Sequence, residues 1–205
     1  MNASEACRGF VALIAQLDLV LALIGLGLAL APLRYTALTT AISLFISCDV
    51  AAALSFHELI SQFADIGIGL VEGTLLGALA SVLAGAALLA PEIVATPAAL
   101  LAAIGNGLIA GAVIAAKTPA ETDELSFTIG AVSASILLVA VGLTGRRILG
   151  SPAWTRIAGK IVGAWLVAIA GLLLALPTAR HSPPKPSAAL SLPAPPKAFR
   201  SVVPP

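Results

Sequence analysis

The chain of 205 residues is 59% hydrophobic and only 10% charged, with a mean hydropathy of +1.05 and a formal net charge of +1. Water-soluble domains carry about 25% charged residues, and a compact fold of this size still exposes much of its surface. A soluble enzyme, a secreted disulfide scaffold and a nucleic-acid module are therefore excluded, and an all-α, polytopic membrane protein is expected. Eleven basic residues against ten acidic ones offer nothing to a polyanionic partner. The two cysteines, Cys7 and Cys48, supply no disulfide framework.

A transmembrane helix needs roughly 20 predominantly apolar residues to cross about 30 Å of hydrocarbon. Six such stretches are predicted. Behind a short N-terminal tail (1–9), the first runs over Phe10–Pro32 and holds Asp18, whose presence, with the length of the run, argues for a genuine span rather than a signal sequence. The second, Thr36–Leu54, is polar for a span, with Thr39, Thr40, Ser43, Ser47, Cys48 and Asp49. The third, Ala64–Ala90, contains Asp65 and Glu72, and the fourth, Thr96–Ala116, holds Asn106 among glycines and alanines. The fifth and sixth cover Ser126–Gly145 and Ile157–Leu176. The connections, such as Leu33–Tyr35, Ser55–Phe63 and Pro91–Ala95, are short, which predicts antiparallel neighbours in one bundle over residues 10–176.

From Pro177 onward, nine of the last 29 residues are proline. Proline lacks an amide proton and favours polyproline II, so residues 177–205 read as a disordered or extended tail. Arg146, Arg147, Arg156 and Lys160 form the densest basic cluster, against Arg8, Lys117, Arg180 and Lys185 elsewhere. The positive-inside rule then places that cluster in the cytoplasm and both termini outside.

A charged side chain at mid-bilayer costs about 2.5–3.5 kcal/mol on insertion scales, so each one asks for a role. Asp18, Asp49, Asp65 and Glu72, joined by Asn106, form a candidate polar path for a proton or cation. Asp49 and Asp65 have a simpler reading as residues at span ends that snorkel to water, with Asp18 and Glu72 satisfied across the bundle. Transition metals prefer imidazole, and the chain has two histidines, His57 beside Glu58 in a connection and His181 in the tail. No metal site, haem or other cofactor is expected, and no nucleophile–base pair supports an enzyme.

Two ridges of small residues stand out: Gly77, Ser81 and Gly85 on the third span, and Gly107 and Gly111 on the fourth. Such ridges let helix backbones approach where lipid supplies no hydrophobic drive. They serve packing within the bundle or, alternatively, homodimerisation.

The residues Gly9-Phe10-Val11-Ala12-Leu13-Ile14-Ala15-Gln16-Leu17-Asp18-Leu19 fit the frame G-x-x-H-P-x-x-G-x-D-H at its first glycine and its aspartate. Asp65-Ile66-Gly67-Ile68, Asn106-Gly107-Leu108-Ile109-Ala110-Gly111, Gly130 with Ser135, and Arg156-Ile157-Ala158-Gly159 fit further motifs of the same kind. On these residues the membrane portion, about Gly9 to Leu176, resembles the HupE/UreJ family of six- to seven-span nickel/cobalt permeases. Gly9, Gly107, Gly111 and Gly130 are kept, whereas Ala12, Leu19 and Val139 stand where the family has histidines. The resemblance implies the family's bundle without its metal ligands.

Two functions are expected from this. The first is a HupE/UreJ-like bundle that has lost metal transport and serves as an accessory subunit, with a membrane-protein partner or a second copy of itself. The second is a transporter, for nickel/cobalt or another cation and proton-coupled, that uses the intramembrane carboxylates. In either case the chain is expected to be a multi-pass protein of a bacterial inner membrane.

Overall fold

The computed structural model describes residues 2–64, 73–119, 123–148 and 152–180. Among them there are seven helices and no strand: α1 (Ala3–Ile14), α2 (Leu17–Leu30), α3 (Tyr35–Ala64), α4 (Gly73–Leu89), α5 (Ala95–Lys117), α6 (Glu124–Ile148) and α7 (Pro152–Arg180). Four are long and apolar enough to cross a membrane: the Tyr35–Phe56 part of α3, then α5, α6 and the Trp154–Ala175 part of α7. The pair α1–α2 adds a fifth only if, despite its bend, it crosses as one broken span rather than as a re-entrant loop, and α4 is a shorter apolar helix. This is an all-α membrane protein.

Three predicted boundaries move. The first span is not one helix, because α1 and α2 meet at 84° across Ala15 and Gln16. No proline or glycine makes this break. Gln16 leaves the helical region at ψ 88° and its side chain makes no capping bond, while Asp18 lies in the first turn of α2, where negative charge meets the positive end of the helix dipole. The stretch Ser55–Phe63, expected as a connection, is helical and extends α3 to Ala64. Ser, His, Glu and Gln are all compatible with a continuing helix, so the polar composition that suggested a connection does not end it. The tail expected from Pro177 does not begin there, since α7 continues to Arg180; Asp65, Glu72 and residues 181–205 lie outside the described residues.

The helices do not pack in chain order. The most extensive contacts join α3 to α5, α4 to α7, α1 to α6, and α2 to both α4 and α6. Since α2, α4 and α6 end at the same side of the bundle where α3, α5 and α7 begin, the α3–α5, α2–α4 and α2–α6 crossings are parallel. This departs from the antiparallel neighbours that short connections suggested. Connection length restricts only consecutive helices, and surface shape selects the others. On α5, a Cβ at Gly111 would collide with the Asp49 carbonyl oxygen, and one at Gly107 would lie 2.5 Å from the Phe45 carbonyl oxygen. At Gly85 a Cβ would lie 2.8 Å from the Gly163 carbonyl oxygen on α7. Both ridges thus face helices of the same chain. The core around them is Leu19, Leu23, Leu26 and Leu30 of α2 with Phe45 of α3 and Ala99, Ala102, Ala103 and Ala110 of α5, all buried. In contrast, α7 turns Trp154, Ile161, Trp165 and Leu172 outward.

α1 lies across α6, where a Cβ on Gly9 would overlap the Phe127 carbonyl and one on Gly130 the Ala6 carbonyl. A polar clasp holds its start. The Asn2 backbone N–H donates to Ser126 Oγ at 2.9 Å, and the Ser126 hydroxyl donates to Asp123 Oδ2 at 2.6 Å. That hydroxyl bond holds the Asp123 carboxyl below its ordinary range.

Two outcomes follow. Gly111→Ala forces α3 and α5 apart and costs about 1–3 kcal/mol in detergent unfolding, whereas Gly171→Ala, with open space around it, is neutral or slightly stabilising. For the clasp, a carboxyl depressed in the folded state contributes stability above its unfolded value of about 3.9 that is lost as pH falls through the lower folded value. The protection factors of the α1 amides, taken against the intrinsic exchange rate at each pH, are therefore expected to fall below about pH 4, and Asp123→Ala to show that loss of protection already at neutral pH.

Candidate functional site

Asp49 is the most enclosed charged residue described, with no exposed surface. The extension of α3 to Ala64 sets it in the middle of a helix, fifteen residues before the end. The snorkelling position expected for it at a span end does not exist. Its backbone faces Gly107 and Gly111, since a Cβ on Gly107 would lie 3.3 Å from the Asp49 nitrogen. The two glycines therefore seal Asp49 against α5.

One further buried polar group faces this carboxyl, and another lies beside Gly107 on the helix packed against it. Ser135 of α6 has no exposed surface and faces Asp49, but its hydroxyl is oriented along its own helix and donates to the Ala131 carbonyl at 3.3 Å. Asn106, one residue before Gly107, is equally buried and spends its Nδ2 on the Ala102 carbonyl at 2.9 Å. Among the described residues neither Asp49 oxygen has a hydrogen-bond partner, nor does Asn106 Oδ1. A carboxylate left like this costs several kcal/mol. A bound proton or a bound cation removes that cost, and either is a chemical task such a group can perform.

Asp18 forms a second polar point. It is half-buried at the start of α2, at the helix break, and its Oδ2 has no hydrogen-bond partner among the described residues. The side chain rests on Gly77 of α4, where a Cβ would overlap the carboxylate. Ser81, one turn on, donates to the Asp18 carbonyl oxygen at 3.4 Å. So the ridge Gly77–Ser81–Gly85 splits its work: its first two members receive Asp18 and α2, and the third receives α7. Gln16, beside the break, has a buried Oε1 without a partner among the described residues. A discontinuous helix with unpaired polar groups at its break is the arrangement that membrane carriers use to bind ions.

Asp49 and Ser135 thus face each other in the buried interior, Asn106 is buried on the adjoining α5, and Asp18 and Gln16 mark the α1–α2 break. Asp65 and Glu72 are outside the described residues. Gln16 was missed by sequence reasoning because an amide in an apolar run carries no charge signal. Among the described residues, no three of His, Cys, Asp and Glu come together as a group able to hold a metal ion. No protein-family model matches the chain, and neither a curated protein nor a solved structure matches it.

If Asp49 is retained for function at a cost to the fold, Asp49→Asn is expected to raise bundle stability by roughly 1–3 kcal/mol, read as a higher unfolding midpoint in detergent.

Proposed function

We propose that this protein is a membrane transporter that carries protons, alone or coupled to a cation, through Asp49. The observation that carries the reading is a fully buried carboxyl with no hydrogen-bond partner among the described residues, at the centre of a long helix. The broken α1–α2 helix with Asp18 at its turn supports it, because interrupted helices supply the backbone and side-chain groups that carriers need at membrane depth. The residues that could hold an ion are oxygen donors, which suit a proton or a hard cation better than nickel or cobalt. The likeness to HupE/UreJ bundles is part of this proposal. Its support is that Gly9, Gly107, Gly111 and Gly130 fall at close helix contacts and that Ser135 faces Asp49. No step of the proposal involves catalysis of a covalent reaction.

A second reading, an accessory subunit of a larger membrane complex, draws on the outward face of α7, where Trp154, Ile161, Trp165 and Leu172 would seat a membrane partner as well as lipid.

Purified protein in liposomes containing a pH-sensitive dye, driven by a potassium diffusion potential, separates the two. Proton entry above that of empty vesicles is expected, with Asp49→Asn at the level of empty vesicles and still monodisperse in detergent. Vesicles that move neither protons nor Mg²⁺, Ni²⁺ or Co²⁺, together with a near-stoichiometric membrane partner in mild-detergent purification, would overturn transport in favour of the subunit.

A further inference from the structure

The ends of six helices meet around a cavity of about 720 Å³ on the side of the bundle away from α1. Four cations from three parts of the chain line it: Arg34 in the α2–α3 turn, Arg146 at the end of α6, and Arg156 with Lys160 at the start of α7. Arg156 and Lys160 are four residues apart and so share a helix face. The one lining carboxylate, Glu92, is bound to Arg156 at 2.9 Å, which leaves a surplus of three positive charges. The other walls are mostly apolar, including Ala29, Ala87 and Leu88, with Thr36 and Thr96 among them.

The cations are not spent on one another, and only Arg146 and Arg156 have partners among the described residues. Among the described residues the side chains of Arg34 and Lys160 have neither an ion pair nor a hydrogen bond. Arg146 donates one bond, at 2.6 Å, to the Leu28 carbonyl, a group in the last turn of α2 that would otherwise lack a partner. That bond fixes a half-buried guanidinium whose remaining donors have no partner among the described residues. Positive charge set in a cavity with low-dielectric walls concentrates its field on whatever enters.

We propose that this cavity binds a phosphate-bearing anion, and that its occupant is the headgroup of an anionic phospholipid. Planar guanidinium forks and a lysine ammonium match phosphate oxygens in geometry and charge. The volume is of the size that holds a small ligand. The lipid is favoured over a free phosphate because the site lies at the span ends, where an acyl chain has immediate access to the bilayer. Basic pockets between transmembrane helices are where such headgroups settle.

Native mass spectrometry of the full chain in detergent, with equimolar phosphatidylglycerol and phosphatidylcholine added, tests this. Wild type is expected to retain phosphatidylglycerol over phosphatidylcholine by about tenfold. The double variant Arg34→Gln, Lys160→Gln loses that preference. Both side chains are exposed, so this variant keeps the elution profile of the folded protein. Arg147→Gln, one residue from Arg146 but outside the cavity lining, keeps the preference. Equal losses in both variants would reduce the effect to diffuse surface charge and overturn the site. Protection from thermal unfolding by inorganic phosphate, with no lipid preference, would overturn the lipid assignment. Binding of neither would overturn the proposal altogether. None of these outcomes depends on whether Asp49 carries protons.

Discussion

The bundle depends on how closely its helix backbones approach. In lipid, an apolar side chain gains little by leaving hydrocarbon for a protein interior, so helices associate through dispersion contacts and interhelical hydrogen bonds. Close approach requires that no side chain stand between the backbones, and here glycines supply the gaps: Gly107 and Gly111 against α3, Gly85 against Gly163, Gly9 and Gly130 between α1 and α6. Gly27 and Gly142 do the same between α2 and α6, each facing a backbone carbonyl of the other helix's strip. The choice of partner follows these strips. That is why α3 lies with α5 and α2 with α4, in parallel, although neither pair is consecutive in the chain.

The same glycines make the polar features tolerable. A carboxyl the size of Asp18 fits between α2 and α4 because Gly77 has no Cβ to occupy its place. Asp49 is hidden because Gly107 and Gly111 bring the α5 backbone against its own. The close contact that stabilises the bundle thus also removes water from its acidic groups and leaves them short of partners. Packing and function are tied through individual residues: widening the α3–α5 contact would rehydrate Asp49 as well as loosen the helices.

Much of this was legible in the sequence. Composition and run length marked the membrane helices, since hydropathy over about 20 residues is a strong signal, and the small-residue spacing marked the strips on α4 and α5. Three things were not legible. The break at Gln16 has no proline or glycine, and only the amide and Asp18 two residues later distinguish it from an ordinary apolar run. The depth of Asp49 depended on where α3 ends, and the polar residues of Ser55–Phe63 suggested a connection where the helix continues. The basic cavity draws Arg34 together with residues more than a hundred positions away, and no local pattern connects them.

The parallel pairing of α3 with α5 has a consequence for how the protein is made. A chain synthesised from its N-terminus delivers helices in order, so α3 emerges two helices before the surface that covers it. Until α5 arrives with Gly107 and Gly111, and α6 with Ser135, Asp49 has no protein shelter from the bilayer. Insertion of α3 must therefore be provisional, with its acidic residue held by water or by the insertion machinery. Completion of the fold waits for the later half of the chain to arrive and close over it.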